Sequence, residues 1–248
     1  MRGMSTLSFD FTGSNIIVAG ASSGMGRRVV DELLQARATV FGIDLRQDLL
    51  NEISAANPNF VGLACDVRDI ATIKAGLDNF VAARGKFHGL FYATGISAPS
   101  TIKDFDNQKA HDMMDINFFA AIELIKAVNR KKIAESGFSN VLISSISAYS
   151  GEKSLLGYSA SKAALQVSVK AIAKEIKTTG SRINSVSPGY VRTVAMQKIF
   201  LSPEILEKQM LGLGDVEDVS GMVLFLLSDR AKWITGADFV VDGGFLAS

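Results

Sequence analysis

The chain has 248 residues, 48% of them hydrophobic, with 26 basic and 25 acidic side chains and a formal net charge of +1. That length and apolar content suffice for one large core, and the balanced charge lacks the basic footprint of a nucleic-acid binder. A lone cysteine, Cys65, excludes an internal disulfide and suits a reducing, cytoplasmic setting. Met1 to Thr6 lack the apolar core of a signal peptide, no stretch is long and apolar enough to cross a bilayer, and Met1 and Met4 are both candidate starts.

Short apolar runs alternate with helical patterns. Ile16-Ile17-Val18-Ala19 reads as a buried strand, followed by a helix from about Gly24 to Gln35. Thr39 to Ile43 is a second strand. Phe60 to Ala64, Gly89 to Ala93, Asn140 to Ser144, Ile183 to Val186 and Phe239 to Val241 continue the series. The first six alternate little between polar and apolar residues, as expected for a parallel sheet covered on both faces. The pattern predicts an α/β fold: three layers, doubly wound, of Rossmann type, with a mainly parallel sheet of about seven strands. No linker, repeat or composition shift divides it, so one domain over 1–248 is the simplest reading, with residues 1–11 a leading extension.

The first strand-to-helix junction is Ala19-Gly20-Ala21-Ser22-Ser23-Gly24-Met25-Gly26. Its glycines let the backbone turn sharply against a pyrophosphate, and the free N–H groups at the helix start face the anion. The spacing differs from the commoner Gly-x-Gly-x-x-Gly, and glycine turns also occur without a ligand. Asp44 closes the second strand, where a carboxylate accepts from ribose hydroxyls and repels a 2′-phosphate. This favours NAD over NADP; Arg46 is the counterargument, being able to reach a phosphate. Asp66, in Cys65-Asp66-Val67, can receive the adenine amino group or cap the next helix.

Tyr158 and Lys162 share one helix face if 157–177 is helical. The ammonium would then lower the proton affinity of the phenol, ordinarily about 10, and fit it for proton exchange. Ser145 follows the strand Val141-Leu142-Ile143 and can hold a substrate oxygen, with Ser144 and Ser147 as competitors. Asn117, among apolar residues in a long helix, either holds a water linking Lys162 to solvent or marks a structural kink. No metal-ligand set is expected.

Together these residues resemble the short-chain dehydrogenase/reductase family in its compact form. The series runs from the glycine loop through Asp66-Val67, Gly95, Asn117, Ser145, Tyr158-x-x-x-Lys162 and Pro188-Gly189 to Val241-Asp242-Gly243-Gly244, spanning about Thr12 to Phe245. The resemblance implies NAD(P)-dependent interconversion of alcohol and carbonyl, with Asn117, Ser145, Tyr158 and Lys162 as the catalytic tetrad. It implies that Gly20, Ser22, Ser23, Gly24, Met25, Gly26, Asp44, Asp66, Val67, Ala93 and Gly95 line the cofactor. Lys162 would bond the nicotinamide ribose, beside Tyr158. Pro188, Gly189 and Thr193 would border the nicotinamide amide, and Val191 would contact it through its backbone. It further implies a homotetramer or homodimer packed through the helices beginning near Asn107 and Gly157. Some positions depart from the family's pattern. Ala19 replaces a frequent threonine, and Tyr92-Ala93-Thr94-Gly95 replaces Asn-Asn-Ala-Gly, with Tyr92 able to pack in place of the lost amide.

The substrate is expected to be small, with apolar character, and to meet Ile96, Ser97, Ile146, Ser147, Tyr149, Leu155, Tyr190 and the segment 195–210. That segment reads either as a lid or as a helix on the core. Arg192 attracts an acidic group or faces water. His88 and His111 are expected to be structural or surface residues, Cys65 a small buried residue near the adenine, and Trp233 an anchor for the C-terminal turn. A nucleotide-binding regulator without turnover is the alternative to an oxidoreductase. An epimerase would want a longer C-terminal lobe.

Overall fold

A computed structural model describes residues 8–193 and 203–248. Seven strands form one parallel sheet: β1 Asn15–Ala19, β2 Thr39–Asp44, β3 Phe60–Ala64, β4 Phe87–Tyr92, β5 Ala134–Ile143, β6 Arg182–Pro188 and β7 Asp238–Val241. Their order is β3-β2-β1-β4-β5-β6-β7, every neighbouring pair being parallel. The order reverses direction between β1 and β4, opening a crevice at the carboxyl ends of these strands, where ligands bind in such sheets. β1 is buried along its whole length, which is why it reads as an apolar run; β6 is buried throughout as well but carries Asn184, Ser185 and Ser187 as buried polar residues.

The helices are α1 Gly24–Gln35, α2 Gln47–Ala56, α3 Ile70–Arg84, α4 Asn107–Met114, α5 Ala120–Val128, α6 Ser147–Ser150, α7 Leu156–Ile176, α8 Pro203–Lys208 and α9 Val216–Leu227. Two apolar cores flank the sheet. One joins it to α3, α5 and α7 through Leu77, Leu124 and Leu165; the other joins it to α1, α2 and α9 through Val29, Leu50 and Val223. In α1 the buried Gly26, Val29, Val30 and Leu33 form one stripe at helical spacing. Phe11 is buried and its N–H bonds the Ala36 carbonyl, so the chain meets the second core ahead of β1.

The long helix expected around Asn117 is interrupted. Asp115–Phe119 forms a wider π turn between α4 and α5, a local irregularity that recurs at functional sites. Tyr92 is fully buried, and its hydroxyl donates to the Ile116 carbonyl in this turn at 2.6 Å. The tyrosine thus ties β4 to the turn, where the family's usual amide is missing.

Trp233 does not anchor the C-terminal turn: it is 96% exposed. Phe245 takes that place, buried and with its ring 5.6 Å from that of Tyr190. His88 is structural, its Nδ1 accepting from the Asn15 N–H at 3.0 Å, and His111 lies at the surface. Among the described residues no helix is long and apolar enough to cross a membrane.

Candidate active site

The candidate residues collect at the carboxyl ends of the strands. The glycine loop leaves β1, Asp44 ends β2, Asp66 follows β3, Ala93 to Gly95 follow β4, Ser145 follows β5, and Pro188 ends β6. Two glycines make the cradle possible. Gly20 has a φ of +83°, and a Cβ there would come within 3.1 Å of the Thr94 nitrogen. A Cβ on Gly26 would fall 1.9 Å from the Gly20 carbonyl oxygen, so only glycine lets α1 start this close to the loop. No side chain caps the start of α1, leaving its N–H groups for an anion.

Asp44 braces this loop. Its Oδ2 accepts from the Ser22 N–H at 3.0 Å and its Oδ1 from the Arg46 N–H at 3.2 Å. The Arg46 guanidinium donates to the Ser22 hydroxyl at 2.7 Å and lies 3.7 Å from the Asp44 carboxylate. Ser22 is buried, Ser23 is exposed and Met25 packs partly on the second core. Ala93 donates its N–H to the Ala19 carbonyl. Across the crevice a Cβ on Gly24 would touch the Thr193 methyl at 3.7 Å, so the chain after β6 closes over the helix start. Val191, buried, bridges to Gly214. Gly189 bonds the Val241 carbonyl through its N–H, and the Pro188 carbonyl accepts from Ile146.

Asp66 forks onto Arg68 at 2.6 and 3.0 Å, and that ion pair holds its carboxyl below the usual range. It does not cap α3; Asp69 does, accepting from the Thr72 N–H. Val67 and Cys65 are buried beside it, the Cys65 thiol being raised by burial. The residues fit a dinucleotide on two observations. The cradle has no room for a Cβ at Gly26, and the Thr94 hydroxyl beside Gly20 is buried without a hydrogen-bond partner. Such a group costs about 1–3 kcal/mol until something satisfies it.

Lys162 is 2% exposed, donates its Nζ to the Ile143 carbonyl at 2.8 Å, and stands 5.9 Å from the centre of the Tyr158 ring. A Cβ on Gly95 would lie 3.1 Å from the same Nζ. Burial brings the Lys162 amine down to about 8. The sequence expectation that this amine lowers the Tyr158 pKa is corrected. Burial of the phenol dominates and raises it, and hydrogen bonding with Ser145 is the group that pulls it back. The loss of water around the hydroxyl outweighs the nearby amine.

Ser145 is buried, and its Oγ accepts from the Ser147 N–H at 3.1 Å. Ser144 is not free to compete, since its hydroxyl donates to the Lys162 carbonyl. The Asn117 side chain makes three hydrogen bonds. Its Oδ1 accepts from the Ile96 N–H at 2.8 Å, and its Nδ2 donates to the Ile96 carbonyl and the Ser161 hydroxyl, each at 2.9 Å. The kink reading matches the π turn, and the amide also clips the segment after β4 to α7.

Sequence reasoning missed Ser161, which hands the contact on by donating to the Tyr158 carbonyl at 2.7 Å, and the Ile143 carbonyl. Ser161's place next to Lys162 was the available signal; nothing in the sequence marks a main-chain carbonyl. Arg192 is exposed and pairs with Asp215 at 2.9 Å. Tyr149, half exposed, donates to Asp238 at 2.7 Å and is pushed up to about 12, chiefly by burial. Of the expected lid, Met196, Ile199, Phe200 and Leu201 lie outside the described residues, while Ile205 and Leu206 fall in α8.

Residues 20–246 match the protein family described as enoyl-(acyl carrier protein) reductase. A 3-alpha-(or 20-beta)-hydroxysteroid dehydrogenase of Mycobacterium tuberculosis is 33% identical over 243 residues, 95% of this chain and 90% of that one. This chain belongs to the short-chain dehydrogenase/reductase family. It is accordingly an NAD(P)-dependent oxidoreductase acting on CH–OH groups. Another member, a 3-oxoacyl-[acyl-carrier-protein] reductase of Salmonella typhimurium, is 29% identical over 238 residues, 94% of this chain and 98% of its own length. A solved short-chain type dehydrogenase/reductase from Mycobacterium ulcerans superposes with a TM-score of 0.86 at 28% identity, covering 97% of this chain and 92% of that one.

Proposed function

We propose that this enzyme interconverts a secondary alcohol and a ketone using NAD(H), with Tyr158 as general acid and base. The observation that carries the reading is the meeting of Ser145, Tyr158 and Lys162 beside the glycine cradle. Hydride exchange at the carbonyl carbon is the chemistry a nicotinamide brings when bound. Tyr158, kept protonated by burial, gives its proton to the substrate oxygen in reduction and takes it back in oxidation. Ser145 orients that oxygen and supports the charge that develops on it. Lys162, anchored on Ile143, stands over the phenol and would hold the nicotinamide ribose of a bound cofactor. Asn117 holds the segment at Ile96 and the start of α7 in register. The Tyr149 hydroxyl, by contrast, donates to Asp238.

The cofactor preference is NAD over NADP. Asp44 sits against Ser22 at the cradle rim, where a 2′-phosphate would meet its charge, and Arg46 is turned toward Ser22. The substrate is a small molecule with apolar character; 3-oxoacyl thioesters, steroids and sugars are the candidate classes. One catalytic domain over 1–248 acts as a cytoplasmic homotetramer or homodimer, packed through α4 and α7. A panel of ketones and alcohols assayed by nicotinamide absorbance tests the reading. Turnover of at least one secondary alcohol or its ketone is expected, and binding of NADH with no turnover across the panel would favour a regulator instead.

A further inference from the structure

Asp238 opens β7, the edge strand, and its carboxylate is a junction of four donors. Oδ1 accepts from the hydroxyls of Ser185 and Ser187 on β6, the latter at 3.0 Å. Oδ2 accepts from the Tyr149 hydroxyl at 2.7 Å and the Gln166 amide at 3.2 Å. An ionised carboxylate has about four acceptor sites, so this one is fully used. Hydrogen bonds to a charged group are stronger than neutral ones.

The donors come from the elements that carry the reacting groups. Tyr149 lies in α6, and the turn leading into it begins at Ser145. That turn is closed by the Ala148 N–H on the Ser145 carbonyl and the Ser147 N–H on the Ser145 hydroxyl. Gln166 lies one helical turn beyond Lys162 on α7, the helix that also bears Tyr158. Ser185 and Ser187 are fully buried on β6. One carboxylate therefore references the Ser145 turn and the Tyr158 helix to the same point on the sheet. α6 is a single turn of four residues, with Ser147 buried and Tyr149 and Ser150 exposed, so the Tyr149 contact fastens its outer side.

We propose that Asp238 is a positioning residue which, through Tyr149, holds the Ser145 hydroxyl against the Tyr158 phenol. This rests on the proposed roles of Ser145 and Tyr158. Its effect is on the orientation of the serine, not on cofactor binding, because neither Asp238 nor Tyr149 belongs to the cradle.

The test uses the full chain labelled at tyrosine Cζ, which gives one signal for each of its four tyrosines. Single Phe variants assign them. Tyr149→Phe and Asp238→Asn should each move the Tyr158 signal in the same direction. The double variant should move it no further than the larger single effect. Amide exchange at Ser147 should speed up about tenfold in Tyr149→Phe, the loss expected for one hydrogen bond to a charged group. With ethyl acetoacetate and NADH as probes, kcat should fall about tenfold while NADH affinity holds, a split that a merely structural contact does not give. Tyr149→Phe removes one half-exposed hydroxyl, so it separates this effect from misfolding of Asp238→Asn. A Tyr158 signal unmoved in both variants, or shifts that add in the double variant, would overturn the proposal. A parent enzyme that reduces no ketone would count against the proposed function alone, since the spectral and exchange results judge Asp238 independently.

Discussion

Lys162 donates its buried amine to the main-chain carbonyl of Ile143 at 2.8 Å. The side chain is thus fixed from below by β5 while its cationic end faces the Tyr158 ring. Burial brings this amine from 10.5 down to about 8. In the unfolded chain it keeps its proton up to its ordinary value. Between the two values the unfolded state binds more protons, so stability rises with pH across that window. Urea unfolding at pH about 7.5 and 9.5 should show a gain on the order of 2 kcal/mol from this group, absent in Lys162→Met. A parent that loses stability relative to the variant over the same interval contradicts the burial of a charged amine.

Asp44 predicts the cofactor preference. Its carboxylate meets the cradle at Ser22 and would repel a 2′-phosphate. Fluorescence titration should show tighter binding of NADH than of NADPH. Asp44→Ala removes the repulsion and leaves Arg46 free to turn, so the preference should narrow by about tenfold or reverse, a change on the order of one charge pair. Tighter NADPH binding by the parent would assign Arg46, not Asp44, the deciding role.

Gly26 should tolerate no side chain. A Cβ would lie 1.9 Å from the Gly20 oxygen, and main chain cannot yield as a flexible side chain does. Gly26→Ala should cost about 1–3 kcal/mol, as overpacking typically does, and should weaken NADH binding together with stability. A variant with the parent's melting temperature and affinity would show that the cradle is looser than described.

Strands such as β1 and β3 and the helix α1 were legible because their burial is written as apolar runs and a helical stripe. Phe60–Ala64 and Gly24–Gln35 carry the expected bounds. At Asn117 a kink was one of two readings and the sequence could not choose between them, since the cause of the π turn is tertiary: the amide is drawn to Ile96 and Ser161, which are distant in sequence. The direction of the Tyr158 shift was misjudged for a related reason. A Tyr-x-x-x-Lys pair gives the neighbour but not the burial, and here burial decides. Trp233 looked like an anchor by its size, yet Phe245 fills the available space. Asp238 escaped notice because its donors come from β6, α6 and α7, which only the fold brings together.

The central claim is that the Tyr158 hydroxyl moves the proton in turnover. The most direct measurement is Tyr158→Phe, assayed for both turnover of a responsive ketone and NADH affinity. A rate loss of about a hundred- to ten-thousand-fold is expected, with affinity held within about twofold. A variant that turns over as fast as the parent would contradict it.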